Sequence, residues 1–558
     1  MMNNQLFNIS RLLTEAAGKY EDREALFAPR GRGNDGNFQY SVLTFRQLEN
    51  LVNAYALAFS RRGIVRNTRV LMLLKPGLEF AAAVFAVYKT GAVPVLIDPG
   101  MGTKNLLGCI RQTLPEAVIA ISPAHWVRLL FRKHFPCAKI FFSLGKFPPP
   151  GCERLEDVVS IETIRHGLKF DFETANTTLD DTAAIVFTTG STGPPKGVVY
   201  THRTFKTQVE LIREVYGAGP DYIDMSAFPL FALFAVILGM PSVIPQMDFT
   251  RPARVNPENI IRPVLDKKIS FSFGSPALWR TVSQYCIANN IRLPSLKKVL
   301  MAGAPVTAEL HRAVKQIIAA DGEIMVPYGA TEALPVANFT GGEMLAETAV
   351  LTARGKGYCV GYPNPGIDIR VITPAEGEIK SWSDQFVLPP AEIGEIVVRG
   401  DVVKKEYFNN PRHNLMSTIT DAGGVRWHRM GDMGYFDAKG RLWFCGRKNH
   451  RVITPERTYY SVCSEAIFNQ HPDVSRTALT GVNSRPVLFI EPRPGKFPEN
   501  QAARTRFISE LKELGQAYPF TSGIQTFLFH RSFPVDIRHN AKIFREKLAI
   551  LAAKTLKS

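Results

Sequence analysis

The sequence predicts an α/β fold with largely parallel sheets, then a smaller β-rich piece, then a C-terminal module that again mixes strand and helix. Three observations predict it. Short apolar, β-branched runs alternate with longer stretches of helical period. Strand-turn-strand texture with Gly and Asp turns sets in at residues 392–399 and 440–444, and the chain beyond residue 447 becomes markedly basic.

In chain order, residues 1–13 lack the basic segment and unbroken apolar stretch of a secretory leader, because Asn3, Asn4, Gln5 and Asn8 interrupt them. The runs 70–74, 93–97, 118–121, 140–143 and 183–188 read as strands, with 45–61 and 79–89 as helices among them. Residues 125–150 mix bulky apolar with basic side chains. That composition suits a membrane surface or a lipid-bearing partner, although an ordinary helix and strand of the fold is the favoured reading. Residues 226–245 carry no charge over about 20 residues, the length of a membrane span. Pro229, Gly239, Pro241 and Pro245 break the stretch, so it reads as a buried helix followed by a strand. A short polar, charged joint at 446–449 is the expected boundary, and 466–470 and 501–518 carry the strand and helix texture of the last module.

With 558 residues the chain exceeds the roughly 100–200 of one domain. Its 45% hydrophobic and 21% charged residues exclude disorder. Seven scattered cysteines, never in a Cys-x-x-Cys pair, argue against a disulfide framework and a zinc site and fit a reducing cytoplasm. The net charge of +17 leaves nucleic acid, membrane and small polyanions open as partners. Residues 447–558 hold 18 basic against 9 acidic residues, about half of the excess.

Four places concentrate chemistry. In Phe187-Thr188-Thr189-Gly190-Ser191-Thr192-Gly193-Pro194-Pro195-Lys196-Gly197 a strand runs into small, hydroxylated and glycine residues and then a lysine. That composition lets backbone N–H groups and hydroxyls close around phosphate oxygens. It is not the Gly-x-x-x-x-Gly-Lys loop, since Pro195 stands five residues after Gly190, nor a hydrolase elbow, since Thr189 occupies the first Gly position of Gly-x-Ser-x-Gly. The second place is Tyr328-Gly329-Ala330-Thr331-Glu332, preceded by Gly303-Ala304-Pro305. An aromatic ring beside Gly can stack on a flat base, Thr331 can donate to a phosphate, and Glu332 is a hard oxygen ligand suited to Mg²⁺. In the third, Trp427-His428-Arg429-Met430-Gly431-Asp432 followed by Arg447, the carboxylate can accept from both hydroxyls of a ribose and the arginine can reach ribose or phosphate. The fourth, residues 533–543 with Lys542, reads by itself as a basic surface loop.

In this order and at these separations the four places resemble the AMP-forming adenylate synthetases: acyl-CoA synthetases, fatty-acyl-AMP ligases, luciferases and peptide-synthetase adenylation domains. The resemblance covers nearly the whole chain. It implies an N-terminal domain, residues 1–446, of two βαβ-type subdomains plus a small β-rich subdomain, and a small mobile α+β lid, residues 447–558, hinged near Asn449. Carried across, Thr188, Thr189, Gly190, Ser191, Thr192, Gly193 and Lys196 form the phosphate loop. Gly303, Ala304, Pro305, Tyr328 and Gly329 flank the adenine, Thr331 holds the α-phosphate and Glu332 the Mg²⁺. Asp432 and Arg447 bind the nucleotide, and Lys542 is the mobile lysine of adenylation. ATP and Mg²⁺ are the implied cofactors, and the polyanion removes the need for a nucleic-acid partner.

The chain departs from the acyl-CoA synthetase pattern. Pro229-Leu230-Phe231-Ala232 lacks the usual His, Asn449 stands at the hinge, and residues 449–460 lack the Gly-rich turn that lines a pantetheine tunnel. These departures resemble one subgroup, the olefin β-lactone synthetases of bacterial long-chain hydrocarbon biosynthesis. Segments carrying that likeness include 96–100, 228–234, 273–278, 331–336, 441–448 and 533–547. The implied substrate is a long-chain 2-alkyl-3-hydroxyalkanoic acid, whose β-hydroxyl closes the ring on its own adenylate. Residues 228–244, with Phe231, Ala232 and Phe234, would line its acyl chain. His202 and His539 are candidate bases for closure, each with the plainer reading of a packed or solvated histidine. The resemblance also leaves room for assembly with other enzymes of the pathway and at most a peripheral membrane contact. The alternatives are a long-chain fatty acid CoA ligase or acyl-AMP ligase, and a non-catalytic adenylate-binding scaffold.

Overall fold

The computed structural model describes residues 5–34, 36–188, 194–535 and 543–556. The first half folds around an eight-stranded sheet. Its order is Glu406–Tyr407, Lys196–Thr201, Thr182–Thr188, Val93–Leu96, Arg69–Leu73, Ala117–Ile121, Ile140–Leu144 and Glu153–Arg154. The six strands from Thr182–Thr188 onward run parallel, and the first two are antiparallel additions at one edge. Strand positions match the apolar runs of the sequence to within a residue or two, because strands of a parallel sheet are buried on both faces.

Helix Phe45–Arg61 starts where a capping box forms: the Thr44 side chain accepts from the Gln47 amide and the Gln47 side chain bonds back. It packs on helix Leu78–Lys89, every residue of which except Glu79 is buried. That explains the weak amphipathic pattern there, and the only cation on it, Lys89, is paired inside with Glu49 and Asn53.

A second, ten-stranded sheet is mixed. Phe271–Gly274, Lys298–Met301 and Glu323–Ala330 run parallel, and the order continues antiparallel through Ala333–Thr340, Tyr358–Pro363, Leu442–Arg447, Arg426–Phe436, Gly394–Arg399 and Asp368–Ile372, with Thr418–Thr420 beside Arg426–Phe436. The expectation of largely parallel sheets therefore holds for the first sheet, whereas the β-rich region is the antiparallel end of the second. Tyr358–Pro363 makes the join, pairing with Ala333–Thr340 at one end and Leu442–Arg447 at the other. Gly361 permits it: at φ +85° a Cβ would run into the Asn338 carbonyl.

The uncharged stretch 226–245 is helix Pro229–Ile237 followed by strand Ser242–Val243, as its prolines dictate. Among the described residues no helix is long and apolar enough to cross a membrane. Beyond the turn Lys448–His450, a sheet of Val474–Val482, Arg485–Pro492 and Thr526–Phe529 carries helices Ser461–Phe468 and Gln501–Gln516 around a core of Ile467, Phe468, Leu479, Leu488, Ile490 and Leu511, and helix Arg545–Thr555 over a second cluster of Ala478, Val487, Phe489, Leu548 and Ala552.

Candidate active site

Strand Thr182–Thr188 and strand Lys196–Thr201 form a hairpin in which Thr188 opposes Lys196, so the sheet delivers the lysine to the carboxyl end of its strands. Thr189, Gly190, Ser191, Thr192, Gly193 and Lys542 lie outside the described residues, as does His539. Burial pulls the Lys196 ammonium below its usual range, with Glu332 acting in the other direction.

Thr331 and Glu332 are the two-residue tip between strands Glu323–Ala330 and Ala333–Thr340, where Ala330 opposes Ala333. Gly329 allows so tight a return, since a Cβ would come within 2.5 Å of the Ala333 carbonyl. The tip is pinned from both sides. Tyr200 Oη donates to the Thr331 carbonyl at 2.6 Å, and the Lys404 amide donates to the Glu332 carbonyl at 2.7 Å. One carboxylate oxygen of Glu332 accepts from Tyr407 Oη at 2.7 Å; the other receives no hydrogen bond from the described residues. Neighbouring strands are in register with Leu300 opposite Met325, so Gly303, Ala304 and Pro305 follow their strand at the level where Tyr328 follows Met325. Gly303 takes φ +92°, and Gly303 and Pro305 are exposed while Ala304 is partly so.

Asp432 and Arg447 oppose each other on adjacent antiparallel strands, and Tyr328 reaches the same carboxylate. Tyr328 Oη donates to Asp432 Oδ2 at 2.7 Å, and Arg447 Nη1 lies 2.9 Å from Oδ1 while donating to the Met430 carbonyl at 3.2 Å. Asp432 is buried, and burial raises its carboxyl above the ordinary range against the pull of Arg447 and Tyr328. Oδ1 is buried and takes no aligned hydrogen bond from the described residues, so it retains a lone pair for a hydroxyl donor. The Tyr328 ring stands 6.2 Å from that of Phe444.

Two site residues carried no sequence signal. Tyr407, on a two-residue strand paired with Val198 and its neighbour, holds Glu332. Lys404 is 5% exposed, and its ammonium sits 4.2 Å from the Tyr407 ring centroid, with Lys196 at 5.1 Å. Burial draws Lys404 down to about 8, again against Glu332. Lys404-Lys405 reads in sequence as a solvated charge pair. Among the described residues Lys196, Lys404, Arg426 and Arg447 act together here beside the carboxylates of Glu332, Asp432 and Glu406, an excess of positive charge that suits a polyphosphate.

Of the three residues expected to line an acyl chain, Ala232 borders a cavity of about 10 Å³ with Leu26, Phe80, Leu233 and Phe249, space for roughly one water. The Phe231 ring stacks on Phe273 at 4.8 Å, and Phe234 packs 5.9 Å from Phe205. As packed, these rings leave no room there for an acyl chain. His202 is buried between Phe7 and Tyr88, its Nδ1 accepts from the Ile9 amide at 3.2 Å, and burial lowers it to about 4. It is a packed core histidine.

The AMP-binding enzyme family matches residues 13–408. The chain is 41% identical over 562 residues to an olefin beta-lactone synthetase of Xanthomonas campestris pv. campestris, covering 98% of each, and 40% identical over 564 residues to one of Stenotrophomonas maltophilia, covering 99% of each. Among solved structures it resembles the anthranilate CoA ligase AuaEII bound to anthranoyl-AMP, with a TM-score of 0.78 at 20% identity over 99% of this chain and 98% of that one.

Proposed function

The chain belongs to the AMP-binding enzyme family, and from that premise we propose that it is an ATP-dependent β-lactone synthetase acting on a long-chain 2-alkyl-3-hydroxyalkanoic acid. The observation that carries the reading is the near-full-length identity to two olefin beta-lactone synthetases. The site supports the first half-reaction. A substrate carboxylate attacks the α-phosphorus of ATP and pyrophosphate leaves, a meeting of anions that needs fixed cations.

Lys196 and Lys404 face the polyphosphate, and Thr331, pinned by Tyr200, stands where the α-phosphate would lie. Tyr328 and the segment Gly303-Ala304-Pro305 flank the base, and Asp432 Oδ1 with Arg447 takes the ribose hydroxyls. Glu332, with one oxygen held by Tyr407 and the other open, fits the single carboxylate by which Mg²⁺ is usually held on a nucleotide. When bound, the ion supplies charge neutralisation on the phosphates. In the second half-reaction the substrate's β-hydroxyl attacks the acyl carbon, the bond to AMP breaks, and a four-membered lactone forms. No thiol is required. The segment after the hinge supports this: Thr454 and Arg457 close a compact turn without Gly, Thr454 N donating to the Arg457 carbonyl at 2.9 Å. Residues 447–558 act as the lid that brings Lys542 to the adenylation step. A cytoplasmic setting, supported by seven unpaired cysteines, and assembly with other enzymes of hydrocarbon formation belong to the same reading.

Incubation with ATP, Mg²⁺ and a long-chain 3-hydroxy acid, with and without CoA, tests it by mass spectrometry. AMP and the dehydrated acid are expected in both arms; a CoA thioester formed only with CoA overturns the lactone reading. Lys542→Ala should abolish acid-dependent pyrophosphate release, about 10²–10³ in rate, while ATP binding survives.

A further inference from the structure

Helix Ser122–Leu130, the turn Arg132–His134 and the loop after strand Ile140–Leu144 build one face at the side of the first sheet. Its inner side is fixed. His125 Nε2 bonds the Phe142 carbonyl at 2.8 Å, and the Arg128 guanidinium lies 3.7 Å from the Phe141 ring centroid. Its outer side is unusually apolar. Trp126, Val127 and Leu130 are 49%, 45% and 81% exposed, Phe131 is 37%, and Phe147 on the loop is 83%. Trp126 Nε1 donates to the Phe147 carbonyl at 3.1 Å, so helix and loop present their apolar tips as one unit.

The charge along this segment has one sign, and the carboxylate nearest the loop, Glu156, is taken up by the Gly145 amide at 2.7 Å. Between Glu116 and Glu153 the sequence holds five Lys and Arg residues and no Asp or Glu. Arg132, Lys133, Lys139 and Lys146 are exposed, and none forms an ion pair with a described residue. A rigid aromatic and aliphatic tip rimmed by unpaired cations matches the boundary between headgroups and acyl chains of an anionic bilayer, where rings and Leu130 insert and the cations meet phosphates. A second copy of the chain offers the same positive face and so repels it. We propose that this face docks the enzyme peripherally on membranes rich in anionic phospholipid. The inference stands on this surface alone and does not depend on the reaction assigned above.

Co-sedimentation of the full chain with phosphatidylcholine vesicles, with and without phosphatidylglycerol, at low and high salt, tests it. Binding is expected only to the anionic vesicles and should weaken in high salt. Leu130→Ser combined with Phe147→Ser, and separately Lys133→Glu combined with Lys146→Glu, should each lower binding at least tenfold, each lost charge being worth about fivefold. Both variants should keep the melting temperature and the pyrophosphate release measured with a soluble short-chain acid. Absence of wild-type binding overturns the proposal, as does equal binding to uncharged vesicles or wild-type binding by both variants. Wild-type self-association that the variants abolish, without vesicle binding, assigns the face to a second copy and overturns it too.

Discussion

Lys404 and Lys196 share one carboxylate through Tyr407 and Glu332, and burial has already drawn Lys404 down to about 8. Such a lysine costs stability in the empty enzyme and recovers it against an anion. Lys404→Met should therefore raise the melting temperature while raising KM for ATP about tenfold, roughly 1.4 kcal/mol, with KM for the acid unchanged; Lys404→Arg should restore part of the loss. Steady-state kinetics in ATP and in acid, with thermal melts, check both signs. Tyr328, Glu332, Asp432 and Arg447 were legible in the sequence because each sits in a compact run of residue types that suit a nucleotide. Tyr407 and Lys404 were not, because their place depends on strand Glu406–Tyr407 crossing from the second sheet's neighbourhood to pair with Lys196–Thr201. No local pattern encodes that pairing.

Among elements, the joint after strand Leu442–Arg447 is the most constrained. Lys448 reaches back to Glu395, which Arg429 also holds through two contacts of 3.0 and 2.7 Å, and all three are buried. Lys448 and Arg429 also donate to the Ala375 carbonyl. Gly446, at φ +126°, lets Ser461 of the following helix pack where a Cβ would collide with its hydroxyl. Glu395→Gln would leave two buried cations against a neutral amide and should cost about 3–5 kcal/mol in urea unfolding, far more than Glu376→Gln, whose carboxylate is solvated where it meets Arg451. The joint was legible as polar and charged but not as buried, since burial there comes from a strand some fifty residues upstream in the sequence. Helix Phe45–Arg61, by contrast, was legible to the residue, because its capping box and apolar stripe are local.

For the whole molecule, acid stability follows from its buried imidazoles. Burial lowers His125, His202 and His311 to about 4 and His450 to about 3, and takes His428 well below its ordinary value. The unfolded chain binds these protons near pH 6.5, so each contributes stability that is present above about 6.5 and lost as pH falls toward 4, up to about 1.4 kcal/mol per pH unit. Asp224, raised to about 7 by burial, acts oppositely, its contribution shrinking as pH rises from about 4 to 7. His413 is lowered as well, whereas burial raises Glu79, Asp432 and Glu465 in the same sense as Asp224; six imidazoles stand against four carboxyls, and melting temperature should fall below pH 6.5. His311, whose ring nitrogens find no hydrogen-bond partner among the described residues, is the cleanest probe: His311→Phe should flatten the slope in melts between pH 7 and 5. One further consequence lies in Tyr200 and Tyr407, both on the first sheet, grasping the Thr331-Glu332 tip of the second. On the proposed reading a nucleotide at that tip would touch elements of both sheets at once. Those two hydrogen bonds, with the apolar core that Phe271, Leu300 and Met325 of the second sheet share with Val70, Ile119 and Val198 of the first, already join the two sheets, so a nucleotide adds its contacts to a seam that is closed without it.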